Sequence, residues 1–173
     1  MIIEAWSEKI AQSIKKTDEN ITVSIPVMKF ALIIIINFTI PVIVSLLIGL
    51  LTGKFLETGT AIVFFVLLRL LSGGFHFQSP IPCMITMVVI TALPPHFSLP
   101  DMWITAFTAV ALILAALLAP SNLRGYHTMP EKYYPLMKAA SVLLIGTNLF
   151  IYSSVIASVF LIQGILLFRW KEV

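Results

Sequence analysis

The sequence is poor in charged residues. Of its 173 residues only 11% are Asp, Glu, Lys or Arg, whereas 59% are hydrophobic, and the mean hydropathy is +1.02. A soluble domain carries roughly 25% charged residues, so this chain has too few to cover a surface that faces water. The net charge is +3 and the basic residues are dispersed. No basic patch of the kind that binds nucleic acid is present, and we expect no nucleic-acid partner.

Cysteine and histidine are almost missing. The single cysteine, Cys83, excludes an intrachain disulfide. The other soft metal ligands are three histidines, His76, His96 and His127. No C-x-x-C or H-x-x-x-H spacing appears, so we predict neither a metal site nor a cofactor. The first 20 residues carry seven charges and no apolar core, which argues against a cleavable secretory signal.

Long apolar runs dominate the rest of the chain. Runs such as LIIIINFTIPVIVSLLIGLL are continuous, whereas the strands of a membrane β-barrel alternate apolar and polar residues. Backbone groups in lipid must satisfy one another, which also favours helices. We therefore predict an all-α fold, a polytopic transmembrane helical bundle of about six spans, in one integral membrane domain, residues 1–173. The predicted spans are residues 27–51, 60–72, 82–93, 102–119, 136–150 and 152–168. Five spans, with one long tilted helix at the C-terminal end, are the alternative.

Residues 1–24 are predicted to contain an N-terminal amphipathic helix that lies in the bilayer interface. Its apolar positions recur near a 3.6-residue spacing: Ile2, Ile3, Trp6, Ile10 and Ile14. A docking surface for a partner peptide is the alternative reading of this face. The same end of the chain is rich in lysine, whereas the loop at residues 94–101 has no Lys or Arg. Because positive loops stay in the cytoplasm, we predict that both termini and residues 69–83 lie on the cytoplasmic side.

The most polar-rich interruption reads RLLSGGFHFQSPIPCM, from Arg69 to Met84. It contains Cys83, and His76 lies seven residues before it. A thiol and an imidazole within reach of each other form a nucleophile and general base pair. In one continuous helix, seven residues would separate them by about 10.5 Å. We therefore expect the chain to fold back between Phe77 and Pro82 and to bring the two side chains together.

The residues around this pair suit the same chemistry. Pro82 at the first position of a helix would place Cys83 in its first turn, where the helix dipole favours a negative sulfur and free N–H groups can hold an oxyanion. The Gly73-Gly74 pair allows a sharp turn and a close approach to a substrate. Gln78 or Ser79 can orient the imidazole, and no third catalytic group is assigned. A lone membrane cysteine is also a common apolar filler, and an arginine such as Arg69 often only extends to the interface.

These residues resemble a known family. Arg69, Gly73, Gly74, His76 and Cys83, with Ser79 and Pro82 between them, are similar to the pattern of the accessory gene regulator B (AgrB) family of bacterial membrane cysteine endopeptidases. The likeness covers essentially the whole chain. It implies that Cys83 is the nucleophile and His76 the general base. Arg69 and Gly74 match positions that matter for activity in the family, and we expect Gly73, Gln78 and Ser79 to support them.

The resemblance also implies a reaction and partners. Such proteins cleave the C-terminal part of a small quorum-sensing precursor peptide through an acyl-enzyme thioester, and the acyl group then closes a thiolactone or lactone ring. The expected partners are a precursor with an amphipathic leader, the lipid bilayer of a bacterial cell membrane, and a second copy in a homodimer. A non-enzymatic transporter or assembly subunit is the alternative, although transporters usually carry ionisable groups within their spans. A family member with a degenerate site is the third reading.

Overall fold

The fold is built from α-helices. The structure, a computed structural model, describes residues 2–17, 23–75, 77, 79–121 and 130–168. Within these residues no named strand forms, and one isolated bridge joins two loops. The helices are α1 (Ile2–Thr17), α2 (Ile25–Leu51), α3 (Phe55–Ser72), α4 (Pro80–Ala92), α5 (Asp101–Leu118), α6 (Tyr134–Gly146), α7 (Asn148–Ile151) and α8 (Ser154–Ile165). The predicted fold class, an all-α membrane bundle, is confirmed.

Four helical segments in the described part of the chain are long and apolar enough to cross a membrane. They are α2, α3, α5 and the stretch Glu131–Ile151, which includes a 3-10 turn, α6 and α7. The apolar segments Pro80–His96 and Ser154–Ile165 are shorter. Many large apolar side chains on α2 are exposed, including Phe30, Ile35 and Leu47. Such a surface is stable in hydrocarbon and unstable in water.

Helix α1 packs on α2 through small side chains. Ser7 and Ala11 are buried between the two helices, and Glu8 accepts a hydrogen bond from Lys29 Nζ at 2.8 Å. This hydrogen bond and the lysine charge lower the pKa of the Glu8 carboxyl from its ordinary value. The predicted apolar stripe lies elsewhere on the helix, because Trp6 is 67% exposed and Ile10 is 39% exposed. The stripe is therefore open to lipid or to a partner.

Helix α8 lies at the centre of the bundle. Both α3 and α5 pack against it, and Phe160 has no exposed surface. Gly164 permits close contact with α5, since an added Cβ would lie 3.1 Å from Leu114 Cδ1. One core cluster groups Leu68, Ala111, Ala115, Ala119, Ile145, Ile156, Phe160 and Leu167. The buried residues of α8 cover about half of its surface, and the rest of the helix is partly exposed and also largely apolar, as expected for a helix in a membrane bundle.

A left-handed residue separates α7 from α8. Tyr152 has φ 58°, and the helix resumes after Ser153. The fully buried Asn148 holds this break: its amide donates to Thr108 Oγ1 at 2.9 Å and to Ser153 O at 3.3 Å. Its carbonyl oxygen accepts from Ser153 N at 3.1 Å. The break lies within residues 148–154, where the polar cluster predicts a turn between the last two spans.

Candidate active site

The candidate site begins where α3 ends. Gly73 terminates the helix with φ 69°, and its N–H donates to Arg69 O at 3.0 Å. Gly74 follows with φ 124°, a backbone region that side chains rarely adopt. A Cβ at Gly74 would also lie 2.7 Å from Arg69 Nη1 and 3.1 Å from Leu166 O. Both glycines are thus favoured by backbone conformation, and Gly74 also by the closeness of its neighbours.

Three distant segments of the chain meet at this turn. Gly74 N donates to Ser121 O at 2.9 Å, and Ser121 N donates to Ser72 O at 2.9 Å. Gly73 and Ser121 form the isolated parallel bridge. On another side, Phe75 N donates to Leu166 O at 2.8 Å. Backbone hydrogen bonds therefore fix the turn from both sides. They also give a partner to the carbonyl of Leu166, which follows the last residue of α8.

A buried amide that sequence reasoning missed completes the turn. Gln163 of α8 has no exposed surface. Its Nε2 donates to Ser72 Oγ at 3.0 Å and to Gly73 O at 2.8 Å, and its Oε1 accepts from Arg69 Nη1 at 3.4 Å. The other guanidinium nitrogen, Nη2, donates to Phe75 O. A signal was present in the sequence, since an amide inside an otherwise apolar helix is costly without partners.

Cys83 lies near the start of α4, but two positions further into the helix than predicted. Helix α4 begins at Pro80, with Ser79 as the N-cap, so the prediction that Pro82 takes the first helical position is wrong. Both prolines fit the first turn because neither N–H is needed there. Cys83 is consequently the fourth helical residue, and of the first turn only Ile81 has an N–H without an intrahelical acceptor. The oxyanion donors expected from this helix end are fewer than predicted.

The guanidinium of Arg69 and the thiol of Cys83 are close enough to interact electrostatically. Arg69 is partly buried, and Cys83 is neither fully buried nor fully exposed. Because the surroundings are apolar, a charge here acts more strongly than it would in water. The arrangement suits a reaction in which negative charge develops on the sulfur or on a substrate oxygen bound beside it.

Two of the predicted site residues, His76 and Gln78, lie outside the described residues, and their positions stay predictions. Their neighbours form an aromatic pair: the rings of Phe75 and Phe77 are 5.0 Å apart and nearly perpendicular. Ser79 makes no side-chain cap to α4. Across the described ranges, no group of three His, Cys, Asp or Glu side chains is arranged to hold a metal ion.

The comparisons with known proteins give one result. No curated protein and no solved structure matches the chain. A family model described as Accessory gene regulator B (AgrB) matches residues 7–170. The match includes α2 to α8, the glycine turn and Cys83, so it covers the whole site as well as the bundle. The chain therefore belongs to the accessory gene regulator B (AgrB) family.

Proposed function

We propose that the protein is a membrane cysteine endopeptidase that processes a small quorum-sensing precursor peptide and supports its cyclisation. Family membership supports a role in accessory gene regulation at a membrane. The observation that carries the enzymatic proposal is the position of the Arg69 guanidinium. Hydrogen bonds to Gln163 and Phe75 fix it at the glycine turn, within the range of an electrostatic interaction with Cys83. A structural cysteine needs no such charge beside it, whereas a nucleophilic one benefits from it.

The first half of the proposed reaction breaks a peptide bond. The sulfur of Cys83 attacks the carbonyl carbon of the bond that precedes the precursor's C-terminal tail, and His76 takes the thiol proton. The tetrahedral oxyanion forms beside Arg69, where positive charge stabilises it. It collapses as His76 returns the proton to the leaving amine. The tail departs with a new amino terminus, and the rest of the precursor remains on Cys83 as a thioester.

The second half closes the ring. A thiol or hydroxyl of the same precursor attacks the thioester carbonyl, and its proton passes through His76 to the sulfur of Cys83. The product is a thiolactone or a lactone, and the enzyme thiol is restored. Transfer from one sulfur to another conserves the energy of the acyl group, so this step needs no additional energy source. The tethered nucleophile is favoured over water because it is held close to the thioester.

Exclusion of water is what separates cyclisation from simple hydrolysis. Phe75 and Phe77 pack edge to face next to the glycine turn. We propose that these two rings and the neighbouring apolar helices keep water away from the thioester. Removing water from the thioester slows its hydrolysis and leaves the precursor's own nucleophile as the main acceptor.

The proposed topology rests on the distribution of charge, with the two shorter apolar helices, α4 and α8, counted as spans alongside the four long segments. We assign six spans, α2 to α6 and α8, with both termini and the site on the cytoplasmic side of a bacterial cell membrane. The lysine of the short loop before α3 is neutralised, since Lys54 Nζ lies 3.4 Å from Glu57 Oε1. The exposed stripe of α1 then lies at the cytoplasmic interface, where an amphipathic leader of the precursor can meet it. The active form in this proposal is a homodimer.

Co-expression with a candidate precursor tests the reaction. We expect the wild type to release the tail and to accumulate a cyclic peptide that mass spectrometry identifies. Cys83→Ala and His76→Ala should each leave the precursor intact at equal membrane expression. Cys83→Ser has a side chain of similar size but a weaker nucleophile. Loss of cleavage in this variant therefore reports on the chemistry and not on the fold. Tail release by Cys83→Ala at the wild-type rate would refute the assignment of the nucleophile and favour a non-enzymatic role.

A further inference from the structure

The buried amide of Gln163 has a single orientation that its partners dictate. The hydroxyl of Ser72 donates to Leu68 O at 2.7 Å, so it can only accept from Gln163. The carbonyl of Gly73 can only accept, and the guanidinium of Arg69 can only donate. Nε2 must therefore face Ser72 and Gly73, and Oε1 must face Arg69. Rotating the amide by half a turn would place an acceptor against the acceptors of Ser72 and Gly73, and a donor against the donor of Arg69.

This set of contacts links α8 to the position of the guanidinium. Arg69 belongs to α3 and has a long flexible side chain, and its guanidinium makes two hydrogen bonds to other described residues. One goes to Gln163 and the other to the carbonyl of Phe75, whose own N–H is held by Leu166. Both anchors of the guanidinium therefore depend on the C-terminal end of α8. Without the amide, the head would lose one acceptor and Gly73 O would be left unpaired in an apolar setting.

We propose that Gln163 is a positioning residue, which fixes both the Arg69 guanidinium and the glycine turn through hydrogen bonds from α8. Its side-chain hydrogen bonds go to Arg69, Ser72 and Gly73, so it acts through these residues. The assignment rests on the proposed function of Cys83 as the nucleophile. In addition, Gln163 of α8 determines where the positive charge of Arg69 lies relative to the sulfur.

The protein contains a matched control. Asn148 is also fully buried, also makes three hydrogen bonds through its amide, and belongs to the break before α8 instead of the site. Gln163→Met and Asn148→Leu each replace a buried amide by an apolar side chain of similar size. Both should lower the thermal stability of the protein in detergent. Only the first should change the environment of Cys83.

The single cysteine gives a direct readout of that environment. Two methanethiosulfonate reagents of similar size, one anionic (sulfonatoethyl) and one cationic (trimethylammonioethyl), react with Cys83 of the intact protein. The ratio of their rates reports the local charge and cancels changes in access that both reagents share. Removing a nearby unit charge should lower the ratio of anionic to cationic rates by about tenfold. We expect this in Arg69→Ala and in Gln163→Met, with no further fall when the two are combined.

Each result supports or overturns the assignment. Ser72→Ala, which removes one partner of the amide, should give a smaller fall in the same direction and serves if Gln163→Met does not fold. A wild-type ratio in both Gln163→Met and Ser72→Ala would overturn the proposal, as would an equal fall in Asn148→Leu. The labelling needs no precursor. If Gln163→Met and Ser72→Ala keep the wild-type labelling ratio and the wild type cleaves the precursor, the positioning role fails and the proposed function stands. If the ratios shift but the wild type does not cleave the precursor, only the positioning role stands.

Discussion

Replacing Gly74 by alanine tests whether the geometry of the glycine turn governs the site. With φ 124° the backbone alone resists a side chain, at a cost of about 1–3 kcal/mol. The new methyl group would also lie 2.7 Å from Arg69 Nη1 and 3.3 Å from Gln163 Nε2. Displacing the guanidinium from its acceptor costs about 1.5–3 kcal/mol more, as for other hydrogen bonds to charged groups. The total of roughly 2.5–6 kcal/mol is a large part of the stability of a domain.

Two other glycines separate these contributions. Gly53 has φ 70° but nothing within 4 Å of an added Cβ, so Gly53→Ala should cost only the backbone strain of about 1–2 kcal/mol. Gly59 is helical and faces open space, so Gly59→Ala should be neutral or stabilising by up to about 1 kcal/mol. Thermal unfolding in detergent measures all three variants, and release of the precursor tail measures activity. We expect lost activity in Gly74→Ala alone. If Gly74→Ala unfolded and cleaved like Gly53→Ala, the closeness of Arg69 would have no bearing on the site.

Two further predictions concern the rest of the bundle. Because Lys29 lowers the pKa of the Glu8 carboxyl, the pair stabilises the docked α1 above the ordinary value of 4.5, and this stabilisation is lost as the pH falls below it. The gap in thermal midpoint between the wild type and Lys29→Met should shrink over that acid range, and a gap that stays constant would contradict the pairing. Gly164→Ala should overpack the contact with Leu114 and cost about 1–3 kcal/mol in thermal unfolding. Gly146→Ala, which faces open space, is its control, and equal midpoints for the two variants would argue against tight α5–α8 packing.

The fold class could be predicted from the sequence because its cause is compositional. Continuous apolar runs with few charges permit little except helices in lipid. The start of α4 was harder, because Pro80 and Pro82 both satisfy the chemistry of a first helical turn. Local propensity cannot choose between them, and the choice of Pro80 moves Cys83 from the second helical position to the fourth. A difference of two residues in the helix start thus changes the expected number of free backbone N–H groups near the sulfur.

The role of Gln163 could not be predicted, although its residue type was conspicuous. Its partner Gly73 is 90 positions away in the chain, and Ser72 is 91 positions away. A sequence pattern shows that an amide in an apolar helix needs partners, but only tertiary packing shows which ones. Ser121 was missed for a related reason, because it contributes backbone groups at the turn and its side chain carries no signal.

The long separation between the glycine turn and its supports has a consequence for biosynthesis. Cys83 and the glycine turn leave the ribosome well before Gln163 and Leu166 are translated. Until α8 packs into the bundle, the guanidinium lacks its acceptor on Gln163, and Phe75 lacks the hydrogen bond to Leu166 that fixes its backbone. The proposed site is therefore complete only after α8 has been translated and has packed against α3.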